Sequence, residues 1–297
     1  MHNNSGIFLG SEIKQGGEDA LFHIFPVPFE KSVSYGQGTA NGANAIVAAS
    51  DQLETFDQIT GEACKFGIHT HQAIDCRGTP SDVMQRIRAQ TEQSAANKKI
   101  PFVFGGEHTV SYCAIRGVAD AYGEQAIGVV QFDAHADLRD NYEGSPWSHA
   151  SVMKRVVDDR LMLFQLGVRA ISMEEKAIRA ELPSQIQYID ALDLCRPIPR
   201  HDFVLPANFP EKIYISVDID ALDASVMPAT GTPVPGGLAF WQLIDLIQAA
   251  ARDRQIVGMD LVEFAPISGF HAYDYLAADL AYKMMGIAAS SWKLPLP

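Results

Sequence analysis

Val129-Val130-Gln131-Phe132-Asp133-Ala134-His135-Ala136-Asp137 decides how the rest of the chain is read. The apolar run closing on Phe132 predicts a buried parallel strand, because a strand covered on both faces needs no polar alternation. Beyond it, Asp133, His135 and Asp137 stand at i, i+2 and i+4. In extended backbone, side chains alternate between faces, so these three are expected on one side. Two carboxylates and an imidazole at the end of a buried strand invite a metal ion, since clustered acids near a core are costly without a cation among them. The competing reading is a polar strand end with an incidental histidine.

A second stretch of the same kind weighs against that alternative. Lys212–Val217 reads as an apolar strand and runs into Asp218-Ile219-Asp220-Ala221-Leu222-Asp223, with another i, i+2 carboxylate pair. Two such pairs on neighbouring strands repel each other unless a cation lies between them. Ile100–Phe104 is a strand ending in Gly105-Gly106-Glu107-His108-Thr109, whose glycines permit a sharp turn into a helix over 110–122. His108 then stands at the carboxyl end of a strand, where open α/β sheets keep their ligands. The strand Ile256–Val262 ends in one more carboxylate, Glu263. His149 heads a helix expected over 150–157 and is a candidate general acid or base; a surface histidine is the alternative.

The remaining pattern frames these positions. Residues 21–28 predict a first strand stopped by its prolines. The loop 34–39 has two glycines but lacks the lysine of a phosphate-binding loop, and is expected to edge a pocket. Helices are expected over 43–56 and 81–97, the latter with Ser81 as N-cap, and a weak strand over 66–68. A strand over 161–167, a helix over 173–182 and a strand over 186–189 follow, then a proline-marked connection over 197–210. Residues 227–237 are too rich in proline and glycine for regular structure and read as a rigid wall of the site. Helices are expected over 238–251 and 273–289. Strands alternating with helices, with no repeat or linker, predict one α/β domain over 1–297, with a mostly parallel sheet and helices on both faces. Residues 1–20 read as a polar N-terminal extension.

Composition narrows the function. The 297 residues are 47% hydrophobic, enough for a large core, and carry a net charge of −13. That charge argues against nucleic acid, which needs a basic face, and suits a cationic substrate. Cys64, Cys76, Cys113 and Cys195 are scattered and read as reduced thiols rather than a disulfide framework or zinc knuckle. The first residues lack a signal-peptide core and no apolar stretch is long enough for a membrane, so a soluble cytoplasmic protein is expected.

Six candidate metal ligands result: His108, Asp133, His135, Asp137, Asp218 and Asp220. Four carboxylates and two neutral imidazoles carry four negative charges, which two divalent ions neutralise. The oxygen-rich set suits manganese better than zinc. Two ions sharing a water can supply hydroxide near neutral pH, which makes hydrolysis the leading reaction class. Glu263 exceeds what two ions need and could orient a guanidinium in a bidentate fork; a buried acid held by backbone amides is the other reading.

Gly105-Gly106-Glu107-His108, Asp133-Ala134-His135-Ala136-Asp137 and Ser216-Val217-Asp218-Ile219-Asp220-Ala221-Leu222-Asp223 resemble, in order and spacing, the three motifs of the ureohydrolases, the arginase and agmatinase family. The resemblance runs from Pro26-Val27-Pro28-Phe29-Glu30 to Glu263. It implies an arginase-like three-layer α/β/α fold and two Mn2+ per subunit bridged by hydroxide. That hydroxide attacks the guanidinium carbon and the products are urea and an amine. By position, the resemblance implies that His108, Asp133, Asp137 and Asp220 or Asp218 divide between the ions, with His135 completing one. Asp137 would also hold the nucleophile, His149 would shuttle protons and Glu263 would bind the guanidinium. Trimers or hexamers are implied too.

Which ureohydrolase is read from the loops. Leu138–Glu143 lacks the Asn and Ser with which arginases grip the amino-acid end of their substrate, and Ser148–Met153 resembles bacterial and archaeal agmatinases. Agmatine, cleaved to urea and putrescine for polyamine synthesis, is therefore the expected substrate. Guanidinobutyrate, carboxylated or aminopropylated agmatine and arginine are alternatives, as is a non-catalytic homologue. The zinc-dependent deacetylases sharing the fold are disfavoured by six ligands where three suffice. Ala224 and Met227-Pro228-Ala229-Thr230 depart from the family's usual wall loop. Arg139 is expected either to pair with Asp140 or Glu143 or to greet a substrate carboxylate.

Overall fold

The computed structural model of the chain describes residues 6–10, 12–13, 16–123, 126–195 and 203–294. Among them, the apolar runs become eight strands: β1 (Phe22–Val27), β2 (Ile68–Thr70), β3 (Ile100–Gly105), β4 (Ile127–Phe132), β5 (Met162–Leu166), β6 (Ile186–Ile189), β7 (Lys212–Asp218) and β8 (Gln255–Val262). They lie in one sheet in the order β2-β1-β3-β8-β7-β4-β5-β6. Every ladder between them is parallel. Parallel neighbours need crossover connections, and these cover the sheet on both sides.

The crossovers carry α1 (Gly42–Ser50), α2 (Pro80–Ala96), α3 (Thr109–Tyr122), α4 (Val152–Asp158), α5 (Met173–Glu181), α6 (Ala191–Leu194), α7 (Phe240–Ala251) and α8 (His271–Ser291). Strand alternation sorts the core into two layers. Ile213, Ile215 and Val217 of β7 pack with α1, α7 and α8. Tyr214 packs on the other face with α2, α3 and α4. Each fully buried aliphatic or phenylalanine side chain here contributes on the order of 1.5–3 kcal/mol. The chain has the three-layer α/β/α arrangement.

Sheet order positions the site. β3, β8, β7 and β4 are neighbours in the middle of the sheet. The chain leaves β3 and re-enters at β4 with two strands between, so adjacent connections depart in opposite directions. A crevice opens at the carboxyl ends where the order switches in this way. The candidate ligands lie at or just after the carboxyl ends of β3, β4 and β7, and Glu263 follows β8.

Several local expectations are corrected. Helix α1 stops at Ser50 instead of continuing to Phe56, which is 65% exposed. The N-cap of α2 is Thr79 and not Ser81: Thr79 and Asp82 form a reciprocal capping box with Pro80 in the first turn. Phe66 closes a short 3-10 turn, and Gly67, at φ 82°, swings the chain into β2. Pro26 lies inside β1 rather than ending it. The β2 ladder has already ended at the Ile24–Thr70 pair, so the missing N–H interrupts nothing on that side. The four-residue α6 was not expected.

The proposed polar extension is partly core. Phe8 and Leu9 are fully buried, and their amides donate to Thr70 Oγ1 (3.0 Å) and Ser50 Oγ (2.8 Å). Residues 1–5, 11, 14 and 15 of that stretch, and 196–202 of the proline-marked connection, lie outside the described residues. No helix among the described residues is long and apolar enough to cross a membrane.

Candidate metal centre and active site

β4 ends at Phe132, so the run Asp133–Asp137 is not the extended segment its spacing suggested. His135 makes a lone bridge to Ala170, and Asp137 turns into the left-handed region at φ 52°. Aspartate tolerates that conformation better than most residues. The Asp137 carbonyl is held there by the amides of Met153 and Lys154 at the start of α4. The three side chains still converge, but they divide between two groups.

The first group is His108, Asp133 and Asp137. His108 Nδ1 lies 3.2 Å from Asp133 Oδ2, 3.0 Å from Asp137 Oδ2 and 3.5 Å from Asp218 Oδ2. The second group is Asp133, His135 and Asp220. His135 Nδ1 is 3.1 Å from Asp220 Oδ2 and 3.6 Å from Asp133 Oδ1. Asp133 therefore offers one oxygen to each group, the geometry of a carboxylate shared by two cations.

The imidazole of His108 shows what the cluster is built to hold. Ser216 Oγ donates to Asp260 Oδ1 (2.9 Å), so it accepts from His108 Nε2–H (3.0 Å). That bond leaves Nδ1 as a lone pair, and Nδ1 is buried with no hydrogen-bond partner. A lone pair facing three carboxylates is repulsive unless a positive centre lies between them. Without a cation the cluster draws protons in its place. Burial lowers the His108 pKa, but Asp133 and Asp137 outweigh it and raise it well above its ordinary value. Burial, then Asp133, pushes Asp137 up to about 7. Burial, then Asp220 and Asp133, raises Asp218 well above the carboxylate range. The donor set fits divalent cations.

The acids are fixed from behind. Gln131 Nε2 donates to Asp133 Oδ2 (2.7 Å), Gln165 donates to Gln131, and Arg179 donates to Gln165 Oε1 (2.9 Å). Asp220 Oδ1 accepts from the Ala134 amide (3.0 Å), tying the ends of β7 and β4 together. The Arg169 guanidinium donates to the carbonyls of Asp220 (2.6 Å), Leu222 (3.1 Å) and Val234 (2.8 Å), joining that turn to the 227–237 wall.

Glu263 follows β8, also left-handed at φ 62°. Its amide donates to the Gly106 carbonyl (2.9 Å) and its Oε1 accepts from the His108 amide (2.6 Å). Burial pushes its pKa up to about 8. Glu263 lines one open pocket with His108, His135, Asp137, Asp218 and His149. The mouth is formed by Ser34, Tyr35 and Gly36 on one side and Gly231 and Thr232 on the other. The Gly36 amide donates to the Gly231 carbonyl (3.1 Å), so the two walls are joined.

The fold and the pocket agree with what is found among known proteins. A family model described as the arginase family matches residues 20–286. The chain belongs to the arginase family. Members of this family are binuclear metal enzymes, and the chain is a hydrolase of the ureohydrolase type. It is 35% identical to an N(1)-aminopropylagmatine ureohydrolase of Thermus thermophilus, over 91% of each chain. It is 29% identical to the agmatinase of Pyrococcus horikoshii, over 92% of this chain and 93% of that one. The crystal structure of the agmatine ureohydrolase of Thermoplasma volcanium superposes with a TM-score of 0.80 at 26% identity, covering 96% of this chain and 98% of the other.

In this ureohydrolase, His108, His135, Asp137, Asp218, His149 and Glu263 line one pocket, and Asp133 and Asp220 stand against its histidines. Arg139 does something else. Its guanidinium lies 5.5 Å from the centre of the Tyr142 ring, while Asp140 pairs with Arg155 and Lys154. Roles for Ser216, Asp260, Gln131 and Arg169 were not foreseen. A lone acid inside the apolar run of β8 was the available signal for Asp260, since a buried carboxylate needs a partner.

Proposed function

We propose that this ureohydrolase releases urea from an agmatine-type guanidine, using two manganese ions held by His108, Asp133, His135, Asp137, Asp218 and Asp220. The observation that supports this most is the sharing of Asp133 between two carboxylate–imidazole groups, with Glu263 opening into the same pocket. Two divalent ions bound there would lower the pKa of a shared water and so supply hydroxide near neutral pH. The oxygen-rich ligand set favours manganese.

The chain's own residues do the rest. Glu263 pairs with the guanidinium and turns its carbon toward the ligand cluster. Its burial means that it gains most when a cation arrives beside it. Asp137 orients the attacking water through its carboxylate. His149, whose pKa is lowered by burial, with Glu107 opposing and His108 and His135 lowering it further, is suited to take a proton and pass it to the departing amine. The acidic chain favours the approach of a cationic substrate.

Agmatine is the first substrate in this proposal. N(1)-aminopropylagmatine is the second, favoured by the name of the Thermus thermophilus relative. A carboxylated guanidine gains no support, because Arg139 is engaged over Tyr142 outside the pocket lining. A single domain over 1–297, a homotrimer or homohexamer, and a place in cytoplasmic polyamine synthesis complete the proposal; the unpaired thiols suit a reducing compartment. The test is urea release by manganese-loaded protein on agmatine, N(1)-aminopropylagmatine, guanidinobutyrate and arginine. Turnover of the first or second supports the proposal, and urea from none of the four refutes it.

A further inference from the structure

Beside the pocket, but outside the metal ligands, lies a fully buried acid with a full set of donors. Glu107 Oε2 accepts from the backbone amides of Lys31 (2.7 Å) and Ser32 (2.6 Å). Its Oε1 accepts from the hydroxyls of Ser32 (2.8 Å) and Thr109 (2.9 Å). Having donated its one hydrogen to Glu107, Ser32 Oγ is left with lone pairs only. These face His149: its backbone amide donates to Ser32 Oγ (3.3 Å), and its Nδ1 lies 3.3 Å from the same oxygen. Ser148 Oγ is 3.5 Å from that Nδ1. Nε2 of His149 has no partner among the described residues.

We propose that Glu107 and Ser32 form a relay that sets the tautomer of His149, with Nδ1 carrying the hydrogen and Nε2 left as the nitrogen that exchanges protons at the pocket. Glu107 and Ser32 are positioning residues, and this inference rests on the proton-transfer role proposed above for His149. The direction of each bond follows from the one before it. The carboxylate can only accept, so the hydroxyl donates to it. The hydroxyl oxygen then accepts, so the imidazole nitrogen opposite it donates. The same carboxylate pins the loop from Lys31 to Gly36 that walls the pocket mouth. Wall and proton carrier thus share one anchor.

Glu107→Gln reverses this direction while keeping the shape. The amides of Lys31 and Ser32 need an acceptor, so the Gln carbonyl takes the Oε2 position; the opposite flip would leave two buried donors facing an NH2 group. The NH2 then points at the hydroxyls. Ser32 accepts from it and turns its own hydrogen toward Nδ1, which forces the hydrogen of His149 onto Nε2. Ser32→Ala removes the relay altogether, and Ser32→Thr keeps the hydroxyl.

The experiment measures kcat, KM and bound metal for these three variants, together with 15N histidine NMR of the zinc-loaded protein. The His149 signals are identified by their absence in His149→Asn. In the wild type, Nδ1 is the protonated nitrogen. Ser32→Ala lowers kcat about 100-fold, the lower end of the range for general acid–base catalysis, with KM and metal content retained. Glu107→Gln moves the hydrogen to Nε2 and lowers kcat at least as far. Ser32→Thr restores the wild-type tautomer and most of the turnover. An unaltered tautomer in both Ser32→Ala and Glu107→Gln overturns the relay, as does a loss of turnover that follows metal loss alone. The NMR result needs no turnover, so protein inactive on every guanidine would count against the proposed function only.

Discussion

Gly106→Ala tests whether the site depends on a close approach of two backbone segments. A Cβ at Gly106 would lie 2.0 Å from the Phe29 carbonyl oxygen, 2.9 Å from its carbon and 3.0 Å from the Phe29 nitrogen. A relaxed C···O contact is about 3.3 Å, so the shortfall is about 1.3 Å. Neither partner is a flexible side chain, so backbone must move. The Phe29 carbonyl accepts from the Glu107 amide, and the Gly106 carbonyl accepts from the Glu263 amide. The displacement therefore carries Glu107, His108 and Glu263 with it. Overpacking of this kind costs about 1–3 kcal/mol, which for a chain of this length lowers the thermal midpoint by about 2–5 °C. Misplacing reacting groups by about 1 Å costs on the order of 100-fold in turnover. Thermal melting and urea release on manganese-loaded protein measure the two effects. A variant indistinguishable from the wild type in both would refute the reasoning.

Glu263→Gln keeps the side chain's size but removes the charge that meets the guanidinium. It should lower kcat/KM by about 100-fold, the equivalent of one lost charge-assisted pair, while metal content stays at the wild-type level; unchanged kcat/KM would remove Glu263 from substrate binding. Arg169→Leu unclamps the turn after β7, so a chelator titration should show metal affinity reduced about 10- to 100-fold, and equal affinity would show that the clamp is dispensable. Stability should also fall with acid at the sheet edge. Burial, and then His69, lowers the His23 and His71 pKa values to about 4 each. Their neutral forms are the folded ones, so the unfolded chain binds protons first. The stability they contribute is complete above about 6.5 and is lost as pH falls toward 4. Thermal midpoints of wild type and a His23→Leu, His71→Leu variant should diverge across that window, and parallel curves would contradict the assignment.

The strands and the ligand set were legible because both obey short-range rules. A strand buried on both faces must be apolar throughout, and Val129–Phe132 and Ile213–Val217 are. Charged groups just after such strands cannot be casual, which exposed His108, Asp133, Asp218 and Glu263. What the pattern hid was backbone direction. The i, i+2, i+4 spacing of Asp133, His135 and Asp137 suggested an extended segment, yet the chain turns left-handed at Asp137 and assigns His135 to the other group. Helix ends were obscured for local reasons. Thr79 and Ser81 are both competent caps, and only the reciprocal bond to Asp82 distinguishes them. Phe56 continued an apolar spacing past the real end of α1. Burial of Phe8 and Leu9 was hidden by their polar neighbours. Ser32 and Glu107 were illegible in a different way, because their contact joins residues 75 positions apart, and nothing in the local pattern of either loop announces the other.

The measurement that bears most directly on the two-ion assignment is metal stoichiometry in the wild type and in Asp133→Asn. Asp133 gives one oxygen to each group, and an amide nitrogen has no lone pair to offer a second ion. The wild type should bind about two manganese ions per chain, as a shared-carboxylate site requires. The variant should hold no more than one and release no urea. A single ion per wild-type chain, or two retained with activity in Asp133→Asn, would contradict the shared site.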